Sequence, residues 1–434
     1  MHERGLVVDE RAAALHACAR ALVEEAAGRA LEHALGREQH HLRAGFPPGD
    51  LGHRGRIVQE PRATVRVMQY VPGESWEARP PPELGLSPHA LTAAAEFHRA
   101  HESAWARDFI TASGRYIGVA DEPPDSAVLG PVRPRGGPNG IIVRQGYVAA
   151  EWGDTARADM TFSVAKSYLA MLAGLAVDRE RFTLDDPVRA TVHDGGFESP
   201  QNRDITWRHL LHQTSEWQGT LWGKPDSIDH NRDLGKSELG ATMKGAPRPM
   251  RAPGTLWEYN DVRVNRLSLA LLQVFREPLA DVLRREIMDP IGASSRWSWE
   301  PYDNSWVEID GRRMPSVAGG SHWGGGLWMS TRDHARLGLL VQRRGQWGRR
   351  RLVSEAWIDA LREPCPLNPQ YGLLWWLNTS RIPTPSAPAT SIFARGAGSN
   401  IIWIDPVHDL VVVVRWIDKG SFDGFVKLVL DGVR

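Results

Sequence analysis

The spacing of apolar residues along the chain changes its period twice, and each change predicts a different type of element. The stretch "NGIIVRQGYVAAEWGD" has two short apolar runs around the Gln-Gly pair at 145–146, which predicts a β-hairpin. A helical period begins at Ser163 and continues to about Ala176, and residues 181–290 are predicted to be mostly helices and loops. After residue 290 the short apolar runs return, and they predict strands again.

The clearest strands are predicted near the C-terminus. "YGLLWWLN", "SNIIWID" and "LVVVVRWID" are short and rich in branched or aromatic residues, with "DPVHD" as the turn between the last two. Helices are predicted for "FDGFVKLVLDGV" and for "LSPHALTAAAEFHRAHES", where Ser87 is the N-cap and Pro88 follows it. This order predicts an α+β domain, in which an antiparallel β-sheet is flanked by helices and carries a helical insertion.

The chain is predicted to have two regions of different character. Residues 1–66 combine an alanine-rich helix, from Asp9 to about Leu35, with a loose arm rich in Gly, Pro, His and Arg. Residues 67–434 are predicted to form one domain, whose parts are a sheet region at about 105–160 and 291–434 and a helical region at about 163–290.

Composition and charge exclude several classes of function. The 52 basic residues balance the 52 acidic ones, so no net field favours nucleic acid or an anionic membrane. No apolar run is long enough to span a membrane, and the N-terminal stretch has no uncharged core, so we expect a cytoplasmic protein. Cys18 and Cys365 do not make a disulfide framework. His40, His41 and His53 lack cysteine or acidic partners, so neither a metal nor an organic cofactor is expected.

A serine and a lysine at the start of the predicted helix are the first candidates for chemistry. The chain has only six lysines, and the first is Lys166, three residues after Ser163. Positions i and i+3 share one helix face, so the amine can reach the hydroxyl. A serine needs a base to become a nucleophile, and a lysine can act as that base when it is desolvated at the positive end of a helix. Arginine cannot lose its proton in a protein, which explains the lysine in an arginine-rich chain. The alternative for Ser163 alone is an ordinary helix cap.

The segment "FSVAKSYLAMLAGLAVDRERFTLDDPV" resembles the nucleophile segment of class C β-lactamases and of penicillin-binding-protein-like serine hydrolases. "ITWRHLLHQTSEWQG", "GGGLWMSTRDHARLGLL" and "GAGSNIIWIDPVHDLVVVV" resemble later segments of the same family, in the same order. The resemblance covers roughly residues 80–434 and implies the β-lactamase/transpeptidase-like fold. It also implies a Ser-x-x-Lys mechanism on Ser163 and Lys166.

The family's second motif is Tyr-x-Asn, and "WEYNDVRVN" is its counterpart here. The resemblance implies that Tyr259 joins the proton relay, against the alternative of an ordinary buried tyrosine. Asp261 stands where the family has the asparagine that helps to hold the amide side chain of a β-lactam. This departure weakens the expectation of antibiotic hydrolysis.

The family's third motif, Lys-Thr-Gly or His-x-Gly, corresponds to "FARGAGSN". Its lysine or histidine is missing, and we expect Arg395 either to supply the positive charge or to form a surface ion pair. Gly396 is expected to let the strand approach the substrate closely. The amide of Ala397 would then pair with that of Ser163 as an oxyanion hole, which needs no particular side chain.

These features predict a serine hydrolase that forms an acyl-enzyme on a small ester or amide. Trp257, Trp217 and Trp222 lie near the motifs and are expected to line a compact apolar site for the acyl group. The family's substrates include carboxylic esters, linear amides such as nylon oligomers, and β-lactams or D-amino-acid peptides. The last pair is the less favoured, because the third-motif cation is missing.

Three other classes of protein are alternatives to this prediction. A catalytically silent, ligand-binding relative of the same fold is consistent with the two altered motifs. An α/β-hydrolase would need a Gly-x-Ser-x-Gly elbow, and the sequence has none. A zinc hydrolase of the His-Glu-x-x-His type is excluded in the same way.

Overall fold

The computed structural model describes residues 70–118, 126–232 and 244–434. The predicted helix and arm of residues 1–66, with their three histidines, lie outside the described residues and stay predictions. The region described contains all the segments that carry the family resemblance.

Eight α-helices occur in the described residues: α1 (Pro88–Ala100), α2 (Val164–Asp178), α3 (Trp207–Leu211), α4 (Asp261–Phe275), α5 (Leu279–Leu283), α6 (Thr331–Gln342), α7 (Glu355–Ala360) and α8 (Phe422–Asp431). A π-helical turn follows α5 directly, and short 3-10 turns include Asp226–Asp229. None of these described helices combines the length and the apolar character that crossing a bilayer requires.

Fourteen strands are described: β1 (Asn139–Arg144), β2 (Tyr147–Trp152), β3 (Asp159–Met160), β4 (Thr220–Leu221), β5 (Lys224–Pro225), β6 (Ser298–Ile309), β7 (Arg312–Val317), β8 (Gly326–Met329), β9 (Gln346–Trp347), β10 (Arg350–Arg351), β11 (Trp376–Leu377), β12 (Ile392–Gly396), β13 (Asn400–Asp405) and β14 (Leu410–Arg415). Six of them make the main sheet in the order β11-β12-β13-β14-β1-β2, and every neighbouring pair is antiparallel.

The main sheet is covered by helices on both faces, and strand β14 shows why. Its side chains alternate between the faces, as in any strand. Val411 and Val413 belong to a core with residues of α2 and α6, whereas Val412 and Val414 belong to a second core with residues of α1 and α8. A strand buried on both faces must be apolar throughout, which accounts for the run "LVVVV".

A smaller sheet, in the order β3-β8-β6-β7, lies next to the start of α2. Arg415 at the end of β14 joins the two sheets, because its guanidinium donates to the carbonyl oxygens of Met329 and Met160, both at 2.9 Å. Met160 is three residues before Ser163, so this arginine fixes the chain that leads into the helix.

The structure confirms the predicted fold class and most of the predicted elements. Residues 145–146 are the hairpin turn, with φ of 56° and 91°, and Ser87 caps α1 through a 3.4 Å hydrogen bond from the Ala90 amide. The predicted strand "YGLLWWLN" is wrong for most of its length, since only Trp376–Leu377 is a strand. Leu374 has a φ of 57° and its amide bonds to the Leu211 carbonyl, which turns the backbone out of the sheet.

The two-sided core makes a testable prediction about strand β14. Val413→Ala removes two methyl groups from a fully buried site and should lower the free energy of unfolding by about 2 kcal/mol. Val407→Ala is the matched control, because Val407 is 62% exposed, and it should change stability by less than about 0.5 kcal/mol. Urea unfolding measures both, and equal losses would contradict the two-sided packing.

Candidate active site

Ser163 stands at the first turn of α2 with a side chain that caps nothing. Its hydroxyl makes no capping hydrogen bond, so the simple cap is not its role. The residue before it, Phe162, has a φ of 51°, a conformation that is strained for a bulky side chain. This turn redirects the chain from β3 into α2, and it leaves Ser163 partly exposed among buried neighbours.

Lys166 lies one turn along α2 and contacts two oxygen atoms. Its Nζ is 2.8 Å from Ser163 Oγ, as the i, i+3 spacing predicts, and 2.5 Å from Asp261 Oδ1. Only 2% of the lysine side chain and 6% of the aspartate side chain are exposed. Ser163, Lys166 and Asp261 therefore form one hydrogen-bonded line from the surface into the interior.

The prediction that desolvation makes Lys166 a free amine is wrong for the resting site. Burial does act to lower the pKa of this amine. The Asp261 carboxylate, with a smaller contribution from Tyr259, acts in the opposite direction, and the lysine pKa ends above its ordinary value. The direction of this shift favours the ammonium form of Lys166.

Asp261 is held as a carboxylate from several sides. It is the first residue of α4, where the helix dipole favours a negative charge. Arg232 Nη1 donates to Asp261 Oδ2 at 2.6 Å. Burial acts to raise the pKa of this carboxyl, but Lys166, Arg232 and His322 together bring it well below its usual value. The residue that seemed only a departure from the Tyr-x-Asn pattern is thus the centre of a charge cluster.

Further charged groups surround this line, and sequence reasoning missed them. Asp229 Oδ2 accepts the Asp261 amide at 2.7 Å, and Lys244 Nζ is 3.0 Å from Asp229 Oδ1. His322 Nδ1 is 3.5 Å from Asp261 Oδ2. A Cβ on Gly320 would be 2.9 Å from the Lys166 amine, so this position has no room for a side chain. Within the described ranges, no cluster of three His, Cys, Asp or Glu residues is arranged to hold a metal ion.

Aromatic rings form one wall beside the lysine. The Lys166 amine is 4.8 Å from the centre of the Tyr259 ring. Tyr259 stacks on Trp376 at 5.8 Å, and Trp257 makes edge contacts with Trp376 and Tyr371. The structure therefore places Tyr259 beside Lys166, with Trp257, Tyr371 and Trp376 packed around it, and the relay role of Tyr259 stays a prediction.

The end of β12 approaches the nucleophile from the other side. A Cβ on Gly396 would be 2.2 Å from the Thr161 carbonyl oxygen and 3.3 Å from the Ser163 amide nitrogen. Only glycine allows this approach. Ala397 follows in an exposed turn. Gly396 thereby brings the end of β12 beside the Ser163 amide.

The structure corrects both expectations for Arg395, because its side chain lies on the face of β12 away from Ser163 and has no ion-pair partner among the described residues. On β12 its side chain shares the face of Phe393, opposite to that of Gly396. The guanidinium lies 4.3 Å from the Phe393 ring centre and donates to Thr384 Oγ1 at 2.6 Å. Burial lowers the pKa of this arginine to about 10.

The expectation that Trp217 lines the site also needs correction, whereas the expectation for Trp222 stays a prediction. The Trp217 indole is 4% exposed, donates to the Gly196 carbonyl at 2.8 Å and fills the space over Gly219. It is a packing residue of the helical region. Trp222 is half-buried against the same core.

Comparisons with known proteins find one matching family model and several solved structures with a similar fold. The model of the Beta-lactamase family matches residues 146–424. Among solved structures, a Bacillus anthracis protein assigned as a 6-aminohexanoate-dimer hydrolase matches with a TM-score of 0.50 and 14% identity, over 68% of this chain and 78% of that one. A penicillin-binding protein homologue from Caulobacter crescentus matches with a TM-score of 0.50 and 15% identity, over 80% and 97% of the two chains. No curated protein sequence matches.

The ion cluster makes a prediction about stability. Asp261→Ala leaves Lys166 and Arg232 as buried cations without their shared partner, and should lower the free energy of unfolding by about 3–5 kcal/mol. Asp185→Ala is the control, because Asp185 pairs with Arg208 at the surface with 74% of its side chain exposed. That pair should contribute no more than about 1 kcal/mol. Comparable losses in urea unfolding would contradict the charge assignment.

Proposed function

The chain belongs to the Beta-lactamase family, whose members are usually serine hydrolases, and from this premise we propose that it forms an acyl-enzyme on Ser163. One observation carries the proposal. An uncapped, partly exposed serine hydroxyl lies 2.8 Å from a buried lysine amine at the start of a helix. A hydroxyl placed in this way can lose its proton as it attacks a carbonyl carbon.

The oxyanion hole is assigned to the amides of Ser163 and Ala397. The close approach of β12 to the Ser163 amide at Gly396 supports this assignment of the two N–H groups to one oxygen. Backbone donors aimed at a developing negative charge stabilise it without reorganisation. This role survives the loss of the third-motif lysine, because it depends on the backbone alone.

The proposed substrates are small esters or amides. Arg395 faces away from Ser163, so β12 offers no cation for the carboxylate that β-lactams and D-amino-acid peptides carry. The wall formed by Trp257, Tyr259 and Trp376 favours a compact apolar acyl or leaving group. The protein's partner is accordingly a small molecule.

The reaction proceeds in two acyl transfers. Ser163 Oγ bonds to the carbonyl carbon, its proton leaves through the neighbouring relay, and the carbonyl electron pair moves to the oxygen in the oxyanion hole. The tetrahedral intermediate expels the alcohol or amine, which takes up the proton. Water then attacks the acyl-enzyme in the same way, and it releases the acid and restores the serine.

A catalytically silent relative is the second candidate, and the ion pair between Lys166 and Asp261 favours it. A lysine held as an ammonium group is not by itself a base, so the same observation could mark a site that binds without turnover. The two candidates differ in the reactivity of Ser163.

Covalent labelling tests the proposed function directly. A fluorophosphonate should add one phosphonyl group to the wild-type protein, and Ser163→Ala should remove this adduct in intact-mass spectra. Hydrolysis of a p-nitrophenyl ester, an aminohexanoate dimer and a chromogenic cephalosporin should fall in that order of preference. A wild-type protein that takes no label and cleaves none of the three would be the silent relative.

The oxyanion assignment makes a separate prediction. Gly396→Ala forces β12 away from Thr161 and Ser163, and should slow phosphonylation and ester hydrolysis by about 10²–10³-fold. Gly73→Ala is the matched control, because a Cβ at Gly73 meets no atom within 4 Å. If both variants keep the wild-type rate, β12 does not form the oxyanion hole.

A further inference from the structure

We propose that Asp261 is the final acceptor of the Ser163 proton, which reaches it through Lys166. The proposal rests on the proposed function and deepens it. In place of a neutral lysine assisted by Tyr259, the site uses a relay that begins with a charged pair. Asp261 does not touch the substrate, so it is a positioning residue that acts through the lysine.

The geometry of the line carries this proposal. Lys166 Nζ is 2.8 Å from Ser163 Oγ on one side and 2.5 Å from Asp261 Oδ1 on the other. Both distances are within hydrogen-bond reach, and the aspartate contact is the shorter one. Because the lysine and aspartate side chains are almost completely buried, no bulk water competes for these protons.

The proton balance of the relay is simple. As Ser163 Oγ bonds to the carbonyl carbon, its proton moves to Lys166 Nζ while another proton moves from Nζ to Asp261 Oδ1. The lysine keeps its charge throughout, and the negative charge moves from the carboxylate to the substrate oxygen. When the tetrahedral intermediate collapses, Lys166 gives one proton to the leaving group and the proton on Asp261 returns to Lys166, which restores the charged pair.

The charges around the carboxylate set the resting state of the relay. Arg232, donating to Oδ2, keeps Asp261 ionised in the resting site, so the charged pair is populated over a wide range of pH. The same charge makes Asp261 a weak base, and proton transfer to it depends on stabilisation of the new oxyanion. An asparagine at this position would accept the lysine hydrogen bond but could take no proton. The groups that face the pair, and that must be considered in any titration, are Arg232, Asp229, Lys244, Tyr259, Tyr302, Tyr371 and His322.

The pH dependence of phosphonylation distinguishes this relay from a free amine. With the relay, the rate constant of the wild-type full-length protein should be nearly independent of pH between about 6 and 9, because the charged pair is populated throughout. If a neutral lysine were required, the same rate constant would rise about tenfold for each pH unit, since the raised lysine pKa keeps the amine protonated.

The variant Asp261→Asn moves the rate in opposite directions under the two mechanisms. With the relay, the rate at pH 7 should fall by about 10²–10⁴-fold and should now rise with pH, because the amine must act alone. Without it, loss of the carboxylate lowers the lysine pKa, and the rate at pH 7 should rise. An unchanged or faster Asp261→Asn variant therefore overturns the proposal.

Asp229→Asn is the matched control, because it removes a buried carboxylate of the same cluster that contacts Arg232, Lys244 and the Asp261 backbone amide but not Lys166. An asparagine oxygen can still accept from that amide. It should keep a flat pH profile. If Asp261→Asn does not fold, the pH dependence of phosphonylation in the wild-type protein is the test. A tenfold rise of the rate constant per pH unit would then contradict the relay but leave the hydrolase assignment intact. Absence of phosphonylation at every pH would overturn both.

Discussion

The site depends on the two hydrogen bonds of the buried Lys166, one with the Ser163 hydroxyl and one with the Asp261 carboxylate. Lys166 is shielded from water, and its hydrogen-bond partners are Ser163 and Asp261, which lie 2.8 and 2.5 Å from its nitrogen. A buried charge is stable only when it is paired, so the lysine requires the carboxylate, and the carboxylate requires Arg232. Burial alone would have produced a neutral amine, but the pairing produces a charged one.

The fold delivers these groups from separate segments of the chain. The strained turn at Phe162 starts α2 and exposes Ser163, while α4 begins with Asp261 at its positively polarised end. Asn260 caps α4 and also donates to the Asp226 carbonyl at 2.8 Å, which ties the loop that carries Arg232 to the same place. On the opposite side, β12 closes the site through Gly396. The main sheet and the helical region thus both contribute residues to the surroundings of the Ser163 hydroxyl.

Much of this arrangement was accessible from the sequence because it depends on local spacing. The i, i+3 relation between Ser163 and Lys166 places the amine near the hydroxyl. The consecutive valines of β14 indicate a sheet that is buried on both faces. The alternation of side chains between the two faces of β12 could also have been predicted from the sequence. Phe393 and Arg395 are two residues apart and share a face, so a glycine facing Ser163 already excluded the arginine from the site.

Other features could not be predicted because they depend on contacts distant in sequence. Nothing in the stretch "DSIDHNRD" indicates that Asp229 and Arg232 contact the first residue of a helix that begins at position 261. Burial of a lysine is also ambiguous in a sequence, since its effect on the pKa is reversed by a carboxylate that arrives from elsewhere. Trp217 was misassigned for the same reason, because its partner Gly196 is a distant residue.

The charge on Lys166 is the most direct test of the account, and the small number of lysines makes it measurable. With only six lysines in the chain, nitrogen NMR of protein labelled at lysine Nζ should resolve the buried group, and Lys166→Arg identifies its signal. The account predicts an ammonium signal for Lys166 across neutral pH in the wild-type protein. A free-amine signal at neutral pH would contradict it.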